Sequence, residues 1–240
     1  MRISGHGTRE IVILTLLLGA AAVGTWFVHA ALTVVFGLMW LAVLAFFRDP
    51  HRRIPDGAGL LVAPGDGRIT EVTDLDHYEG IDGPALRVGI FLSVLDVHVN
   101  RSPCAGRVIR REYRPGEYLD ARHPESGARN ESNTLTIQPA ADVPGPVIVR
   151  QIAGMIARRI VCAVQPGDRL DRGQRIGLIK FGSRVELIVP RVPGWRVGVG
   201  IGDRVAGGST VLLQYQGVPR ADETSHEDRE PIRQVETAAR

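Results

Sequence analysis

The chain has 240 residues, which leaves room for one sizeable domain and an appendage. Its formal net charge is a mild +3, and no nucleic-acid partner is expected. No H-x-H pair or comparable ligand spacing occurs, so a metal site of the zinc-peptidase kind is not expected. Lys180 is the only lysine among 29 lysines and arginines, which leaves one residue to hold a pyridoxal cofactor, and no phosphate-binding signature accompanies it.

The N-terminal segment predicts a helical hairpin. Residues 11–47 contain no Asp, Glu, Lys or Arg. One continuous helix of that length would measure about 55 Å, nearly twice the hydrocarbon core of about 30 Å. Two spans fit, with a break near residues 24–29, where Trp26 and His29 suit a membrane interface. A re-entrant or interfacial hairpin is the main alternative, since each half has only about 18 residues.

Positive charge borders this apolar run on both sides, which predicts that both ends lie in the cytoplasm. The run is also too long for a cleaved signal peptide. The flanking arginines are Arg2, Arg9, Arg48, Arg52 and Arg53.

From residue 55 onward, short apolar segments alternate with Gly and Pro, and their β-branched content indicates strands of a mainly antiparallel sheet or barrel. We therefore predict a membrane hairpin over residues 1–48 and a β-rich domain over residues 49–217. The charged segment 218–240 is predicted to be disordered, because it has too few apolar residues to offset its ordering entropy. Strands are expected at 60–63, 86–92, 147–152 and 185–189.

Two segments repeat one pattern, V-x-x-G-D-R-apolar-x-x-G-x-x-apolar, at residues 164–176 and 199–211. The Gly-Asp pairs suit tight turns, and the apolar positions suit short paired strands. The pattern resembles the barrel-sandwich architecture of biotinyl and lipoyl domains. One functional alternative is therefore a membrane-tethered carrier or export adaptor without catalysis. A carrier, however, needs its lysine exposed at a hairpin tip, and Lys180 lies inside an apparent strand.

Residues 177–190 (G-L-I-K-F-G-S-R-V-E-L-I-V-P) place a Gly-Ser step between two apolar segments. Serine is a weak nucleophile unless a base or a strained site activates it. Glycine before it permits a positive φ and the close approach of another group. A self-cleaving peptide would use such a step, with the Ser183 hydroxyl attacking the Gly182 carbonyl, but a plain turn or bulge between strands would use it as well.

Three motifs occur together in this chain: G-L-I at 177–179 followed by F-G-S-R-V at 181–185, A-P-G-D-G at 63–67, and D-V-H-V-N-R-S-P at 96–103. With Pro190, they resemble the short-type phosphatidylserine decarboxylases over roughly residues 49–215. Residues 130–131 (N-E) also match a motif of this family, without an assigned role.

The resemblance implies autocatalytic cleavage between Gly182 and Ser183. Ser183 would become a covalent pyruvoyl group, which forms a Schiff base with the substrate amine and accepts the electrons of the broken C–C bond. The two chains, 1–182 and 183–240, would form a heterodimer that can assemble further. The implied reaction converts phosphatidylserine to phosphatidylethanolamine and CO2 at the cytoplasmic face of the cell membrane.

Two further residues are candidates for catalysis. Alternation places Asp96, His98 and Asn100 on one face of a strand, and His98 is the candidate base for Ser183. The resemblance identifies Asp66 as the carboxylate that pairs with the processing histidine; from the residues alone, a plain Gly-Asp-Gly turn is the alternative. Longer relatives carry a second histidine where this chain has Arg101, which cannot act as a base at neutral pH. Either His98 serves both cleavage and decarboxylation, or another group assists.

Overall fold

A computed structural model describes residues 2–3, 8–26, 29–123, 125–140, 142–155, 159–180 and 182–217 of the chain. The predicted disordered tail, 218–240, lies outside the described residues.

Two helices form the predicted N-terminal hairpin. Helix α1 (Thr8–Trp26) and helix α2 (Ala30–Phe46) are separated where the sequence predicts the break. The Trp40 indole N–H donates to the Thr15 hydroxyl at 3.0 Å, which joins the two helices side by side. By length and composition, α1 is the one described helix long and apolar enough to cross a membrane, and α2 is shorter. A third helix, α3 (Ser126–Arg129), is a single turn.

The rest of the described chain is mainly antiparallel β-structure, so the predicted fold class is confirmed. The strands are β1 (Arg2–Ile3), β2 (Arg48–Asp49), β3 (Leu60–Val62), β4 (Gly67–Leu75), β5 (Ala85–Leu92), β6 (Val99–Arg101), β7 (Gly106–Arg114), β8 (Ser132–Pro139), β9 (Val147–Ile152), β10 (Ile160–Cys162), β11 (Arg169–Leu170), β12 (Arg175–Ile179), β13 (Ser183–Pro190), β14 (Trp195–Val197), β15 (Arg204–Val205) and β16 (Val211–Tyr215).

Strand β13 is central to the largest sheet, whose order is β11-β7-β8-β9-β13-β5-β4-β15. It pairs with β9 on one side and with β5 on the other, and seven of its eight residues are buried. Val185, Leu187 and Val189 point into the main core with Val88 and Ile90 of β5. Two smaller sheets, β10-β12-β6 and β14-β16-β3, complete the β-domain. Ser183 is thus the first residue of the central strand.

The repeated sequence pattern forms a repeated structure. In one copy Gly167 donates its N–H to the Val108 carbonyl, and in the other Gly202 donates to the Ile69 carbonyl. Both glycines have a positive φ, +100° and +96°, which a side chain would disfavour. The strands that receive these bonds, β7 and β4, also correspond, so two halves of the domain share one architecture.

The correspondence between β4 and β7 continues into the residues before each strand. Gly67 pairs with Val205 just as Gly106 pairs with Leu170, each at the start of its strand. The preceding segments, A-P-G-D at 63–66 and S-P-C-A at 102–105, therefore occupy equivalent places. Asp66 has Ala105 as its counterpart, so the turn itself does not require a carboxylate.

The base of the hairpin packs on the β-domain beside the Gly-Ser step. Ile11 of α1 and Phe46 at the end of α2 lie in one apolar cluster with Val99 of β6 and Leu178 of β12. The buried carboxylate of Asp49, just beyond the hairpin, also accepts a hydrogen bond from Arg101 at 2.7 Å. The hairpin is therefore attached to the two strands that flank the candidate site.

Candidate active site

Ser183 is completely buried, and its hydroxyl has no hydrogen-bond partner among the described residues. Its strand position pairs with Leu92 at the end of β5. Leaving a buried hydroxyl unpaired costs about 1–3 kcal/mol, so a purely structural serine here would be unfavourable. An unpaired hydroxyl does suit a nucleophile that is held ready to react.

Gly182, the residue before Ser183, has a φ of +61°, which lies in the left-handed region that favours glycine. Its carbonyl oxygen packs closely against Gly154, where a Cβ would lie only 2.1 Å from that oxygen. Two glycines therefore fix the carbonyl that precedes Ser183. Gly154 was not predicted to belong to the site, although a lone glycine two residues after a predicted strand can indicate a close backbone approach.

His98 binds the backbone N–H of Gly182, which belongs to the peptide unit before the Gly182–Ser183 bond. The Gly182 N–H donates to the imidazole Nε2 at 3.3 Å, and Nδ1 lies 2.9 Å from the Asp96 carbonyl oxygen. Because that carbonyl can only accept, Nδ1 carries the proton, and the unprotonated Nε2 accepts the Gly182 N–H through its lone pair. To act as a base, Nε2 would exchange this bond for one from the Ser183 hydroxyl. Burial lowers the pKa of His98 to about 4, and the hydrogen bond to the Asp96 carbonyl opposes this only in part. His98 is therefore neutral at physiological pH.

The strand predicted through His98 begins later than expected. Alternation from Asp96 to Asn100 predicted one continuous strand, but β6 starts at Val99. The Asp96 carboxylate accepts hydrogen bonds from the N–H and the hydroxyl of Ser93, which closes a turn over 93–96. His98 leaves this turn with its ring against Phe46, at 4.4 Å between ring centroids.

Asp66 is not a hydrogen-bond partner of His98. Its carboxylate accepts from the Arg52 guanidinium and from the Gly207 N–H, the latter at 2.9 Å. Burial raises the pKa of Asp66, against the opposing effect of Arg52. The structure thus brings Ser183 and His98 together around Gly182, whereas Asp66 lies in an adjoining ion pair.

A cavity of about 320 Å³, here called the Gly182 cavity, borders Gly182. An ion pair between Asp120 and Arg122, 2.7 Å apart, lies on one side of it. Phe91, Val94 and Met155 supply apolar wall on the others. Among the residues that the structure describes, no group of three or more His, Cys, Asp or Glu side chains is placed to hold a metal ion.

Comparison with known proteins identifies the family of the chain. The family model for phosphatidylserine decarboxylase matches residues 41–213. The chain belongs to the phosphatidylserine decarboxylase family. Among its relatives, a phosphatidylserine decarboxylase proenzyme of Rhodopirellula baltica is 42% identical over 212 residues, covering 88% of this chain and 87% of that one. Proteins of the same name from Symbiobacterium thermophilum and Nitrosomonas eutropha are 48% and 47% identical, covering 80% and 75% of this chain and 88% and 81% of their own lengths.

Membership of the phosphatidylserine decarboxylase family confirms the resemblance found in the sequence and the prediction that the chain is an enzyme. The carrier alternative also fails on geometry. Lys180 is 8% exposed and forms an ion pair with Glu10 of α1, so it is not available at a hairpin tip for modification.

Arg101, which stands where longer decarboxylases of this family carry a second histidine, has a structural role here. Its guanidinium is buried and donates to the Asp49 carboxylate and to the Gly173 carbonyl, at 2.7 and 3.0 Å. This pairing ties β6 to the segment that follows the hairpin. His98 is therefore the one histidine that contacts the Gly182–Ser183 step among the described residues.

Asn100 and Asn130 anchor the surroundings of the site through buried amides. The Gln151 amide donates to Asn100 at 2.8 Å, and Asn130 donates to the carbonyls of Leu119 and Ala153, each at 2.8 Å. Ala153 directly precedes Gly154, so Asn130 fixes the backbone that contacts the Gly182 carbonyl. This contact gives the N-E motif at 130–131 a physical role that the sequence did not assign.

Proposed function

We propose that the chain cuts itself between Gly182 and Ser183 and then decarboxylates phosphatidylserine to phosphatidylethanolamine and CO2 through a pyruvoyl group derived from Ser183. The main observation is that the Ser183 hydroxyl is buried and unpaired and directly follows Gly182, whose backbone N–H is bound by neutral His98. The family supports the decarboxylation, and the relatives are named proenzymes, which fits self-processing.

In the proposed cleavage, Ser183 Oγ attacks the Gly182 carbonyl carbon while His98 Nε2 accepts the hydroxyl proton. The C–N bond breaks, the freed nitrogen takes up a proton, and an ester joins the two segments. Loss of the Ser183 α-proton then breaks the Cβ–O bond and releases the Gly182 carboxylate. Addition of water and loss of ammonia leave the pyruvoyl group. Gly154 fixes the attacked carbonyl throughout by its close contact with that oxygen.

Asp66 acts in this proposal as a positioning residue for the site. Asp66 lies two residues beyond Pro64, whose carbonyl accepts the N–H of Arg101 at 2.9 Å. Arg101 lies on β6, three residues beyond His98. Since the equivalent turn forms around Ala105, the carboxylate is not needed for the turn and serves the ion pair with Arg52.

The residues around position 183 suit a pyruvoyl group. Such a group supplies a carbonyl that accepts electrons from the bond to the departing carboxylate. The strand that would carry it is held by buried charge: Arg184 forms ion pairs with Glu71 and Glu186. Because β13 pairs with β5 and β9, the chain 183–240 would stay associated with the chain 1–182 after cleavage, as a heterodimer.

The hairpin would hold the enzyme on the cell membrane with the domain 49–217 on the cytoplasmic face. Its exposed surface carries large apolar side chains along both helices, including Leu16, Val23 and Leu38, each more than 60% exposed. Surfaces of this kind need an apolar partner, and a bilayer supplies one. Arginines on both sides of the hairpin support the cytoplasmic assignment. External protease is expected to leave residues 49–240 intact in whole cells, and digestion there would reverse the topology.

Intact-mass analysis together with denaturing electrophoresis tests the function. The purified protein should contain two chains cut after Gly182, and the smaller should have no free amino terminus. Ser183→Ala should remain one chain and be inactive, because it lacks both the nucleophile and the pyruvoyl precursor. A single uncut chain that decarboxylates phosphatidylserine would refute the proposal.

A further inference from the structure

A second cavity, of about 330 Å³, lies at the base of the hairpin. We call it the hairpin-base cavity. Leu14 of α1, Met39 and Val43 of α2, and the turn residues Val94 and Leu95 line it. Val94 also lines the Gly182 cavity. One side chain therefore forms wall in both cavities, and the two adjoin at the turn over residues 93–96.

Both cavities are lined mainly by apolar groups, and they differ in their charged groups. The Gly182 cavity contains the Asp120–Arg122 ion pair, whereas the lining of the hairpin-base cavity is apolar except for Arg48. Arg48 donates to the Ala45 and Leu95 carbonyls at 2.7 and 2.6 Å, so its guanidinium attaches the turn to the end of α2. A ligand that spans both cavities can place a charged group beside the Asp120–Arg122 pair and an apolar chain in the hairpin-base cavity.

The turn itself is apolar and exposed. Leu95 is 82% exposed and Val94 is 44% exposed, next to helices whose own apolar surface is exposed. Exposed aliphatic side chains that continue an apolar surface mark a contact with lipid or with protein. Here the continuity with the hairpin, together with the Asp120–Arg122 ion pair in the adjoining Gly182 cavity, favours a single lipid molecule that enters from the bilayer.

We infer that the hairpin-base cavity binds one acyl chain of the glycerophospholipid whose headgroup occupies the Gly182 cavity, with Val94 at the junction between the two parts of the ligand. The inference rests on the proposed function and adds to it the place where the substrate's chain lies. The volume of the hairpin-base cavity falls within the range of about 300–1,000 Å³ that small-molecule sites occupy. Val94, Met39 and Val43 would then determine how well the enzyme uses long-chain substrates.

Filling the hairpin-base cavity tests this inference. Ala42 lines the cavity from α2, and Ala42→Trp would occupy it without altering His98, Gly182 or Ser183. The matched control is Ala20→Trp on the exposed surface of α1. Both variants should cut themselves into two chains. For Ala42→Trp, kcat/KM on dioleoyl phosphatidylserine in mixed micelles should fall at least about tenfold, while activity on dihexanoyl phosphatidylserine stays within about twofold. Equal losses on both substrates, or no loss on either, would overturn the inference.

A binding experiment separates this inference from the proposed function. The uncut Ser183→Ala chain would be illuminated with phosphatidylserine that carries a diazirine near the end of one acyl chain, and the labelled peptides would be sequenced. Label on residues 39–47 or 94–95 supports the acyl site whether or not the protein turns over. Label spread evenly along the outer faces of α1 and α2, as a bulk-lipid contact would give, refutes it. Absence of turnover by the wild-type enzyme on every phosphatidylserine would instead refute the proposed function.

Discussion

The backbone N–H of Gly182 and the imidazole Nε2 of His98 lie 3.3 Å apart, so the residue before the candidate nucleophile is bound directly by the candidate base. The contact joins the connection between β12 and β13 to the segment that enters β6. Since Nδ1 bonds the Asp96 carbonyl, the tautomer is fixed with the basic nitrogen toward the Gly-Ser step.

His98→Ala should therefore cause uncut chain to accumulate. General-base assistance contributes about 10²- to 10⁴-fold, so the precursor should persist for hours after synthesis. Pulse-chase labelling followed by denaturing electrophoresis measures this directly. The exposed residue His77 provides the control, and His77→Ala should cut normally. Normal cutting with lost decarboxylation would restrict His98 to the substrate step, and normal behaviour in both would make it structural.

The same base can be removed by protonation. The pKa of His98 is lowered to about 4, below its usual value of 6.5, so the neutral form predominates above about pH 4. The rate of self-cleavage should thus be nearly constant from pH 8 to about pH 5.5 and should fall as the pH drops through about 4. The free energy of unfolding should also fall with pH. The unfolded chain binds a proton at His98 below about pH 6.5, whereas the folded chain does not bind it until about pH 4. His98 therefore makes the protein less stable as the pH falls from 6.5 to about 4.

Asp66→Asn should slow self-cleavage without shifting the pH midpoint of the cleavage rate, which is the pH at which that rate is half-maximal. The amide keeps an acceptor for the Gly207 N–H but loses the ion pair with Arg52, and neither group bonds His98. Arg52→Gln should reproduce the effect, and the double variant should be no slower than either single one. A shift of the midpoint in Asp66→Asn, absent from Arg52→Gln, would show instead that the carboxylate supports the imidazole directly.

Gly154→Ala should hinder cleavage, because its Cβ would lie 2.1 Å from the Gly182 carbonyl oxygen and would displace the bond that Ser183 attacks. Misplacement of a reacting group by about 1 Å can cost about a hundredfold in rate. The control is Gly127→Ala, whose Cβ would meet its nearest neighbour, the Glu186 carboxylate, at an ordinary 3.5 Å. Thermal unfolding of both variants in the Ser183→Ala background separates a folding defect from a slowed reaction. If Gly154→Ala cuts as fast as the wild type, the close contact does not position the carbonyl.

The features that the sequence predicted well are those that local pattern determines. The apolar run with its break near residues 24–29, the short β-branched strands and the Gly-Ser step between two of them all reflect periodicity or the special conformations of glycine. The paired repeats were also visible, because Gly167 and Gly202 meet the same backbone requirement.

The partners of the site residues, by contrast, depend on contacts between distant parts of the chain. Asp66 bonds Arg52 and Gly207, and nothing local distinguishes these partners from His98. Alternation around His98 failed for a related reason: the Asp96 carboxylate turns back to Ser93, and this side-chain bond competes with a regular strand.

The base of the hairpin contacts the candidate site, which the sequence did not predict. From the sequence alone, residues 11–47 would be expected to serve only as an anchor, because none of them is a candidate for catalysis. The structure places Phe46 against the His98 ring and pairs Glu10 with Lys180, two residues before Gly182. The base of the hairpin thus contacts His98, which binds Gly182, and Lys180, which lies just before Gly182 in the chain.

Phe46→Ala should therefore slow self-cleavage in the full chain by roughly tenfold to a hundredfold, because it frees the His98 ring to leave the Gly182 N–H. Phe46→Leu, which keeps an apolar contact, should recover part of the rate. Trp26→Ala, at the far end of α1 and 65% exposed, is the matched control and should cut at the wild-type rate. The rates would be followed by electrophoresis after expression in the same membranes, so that anchoring is unchanged. If Phe46→Ala cuts as fast as Trp26→Ala, the hairpin does not position the base, and its contribution is limited to attachment.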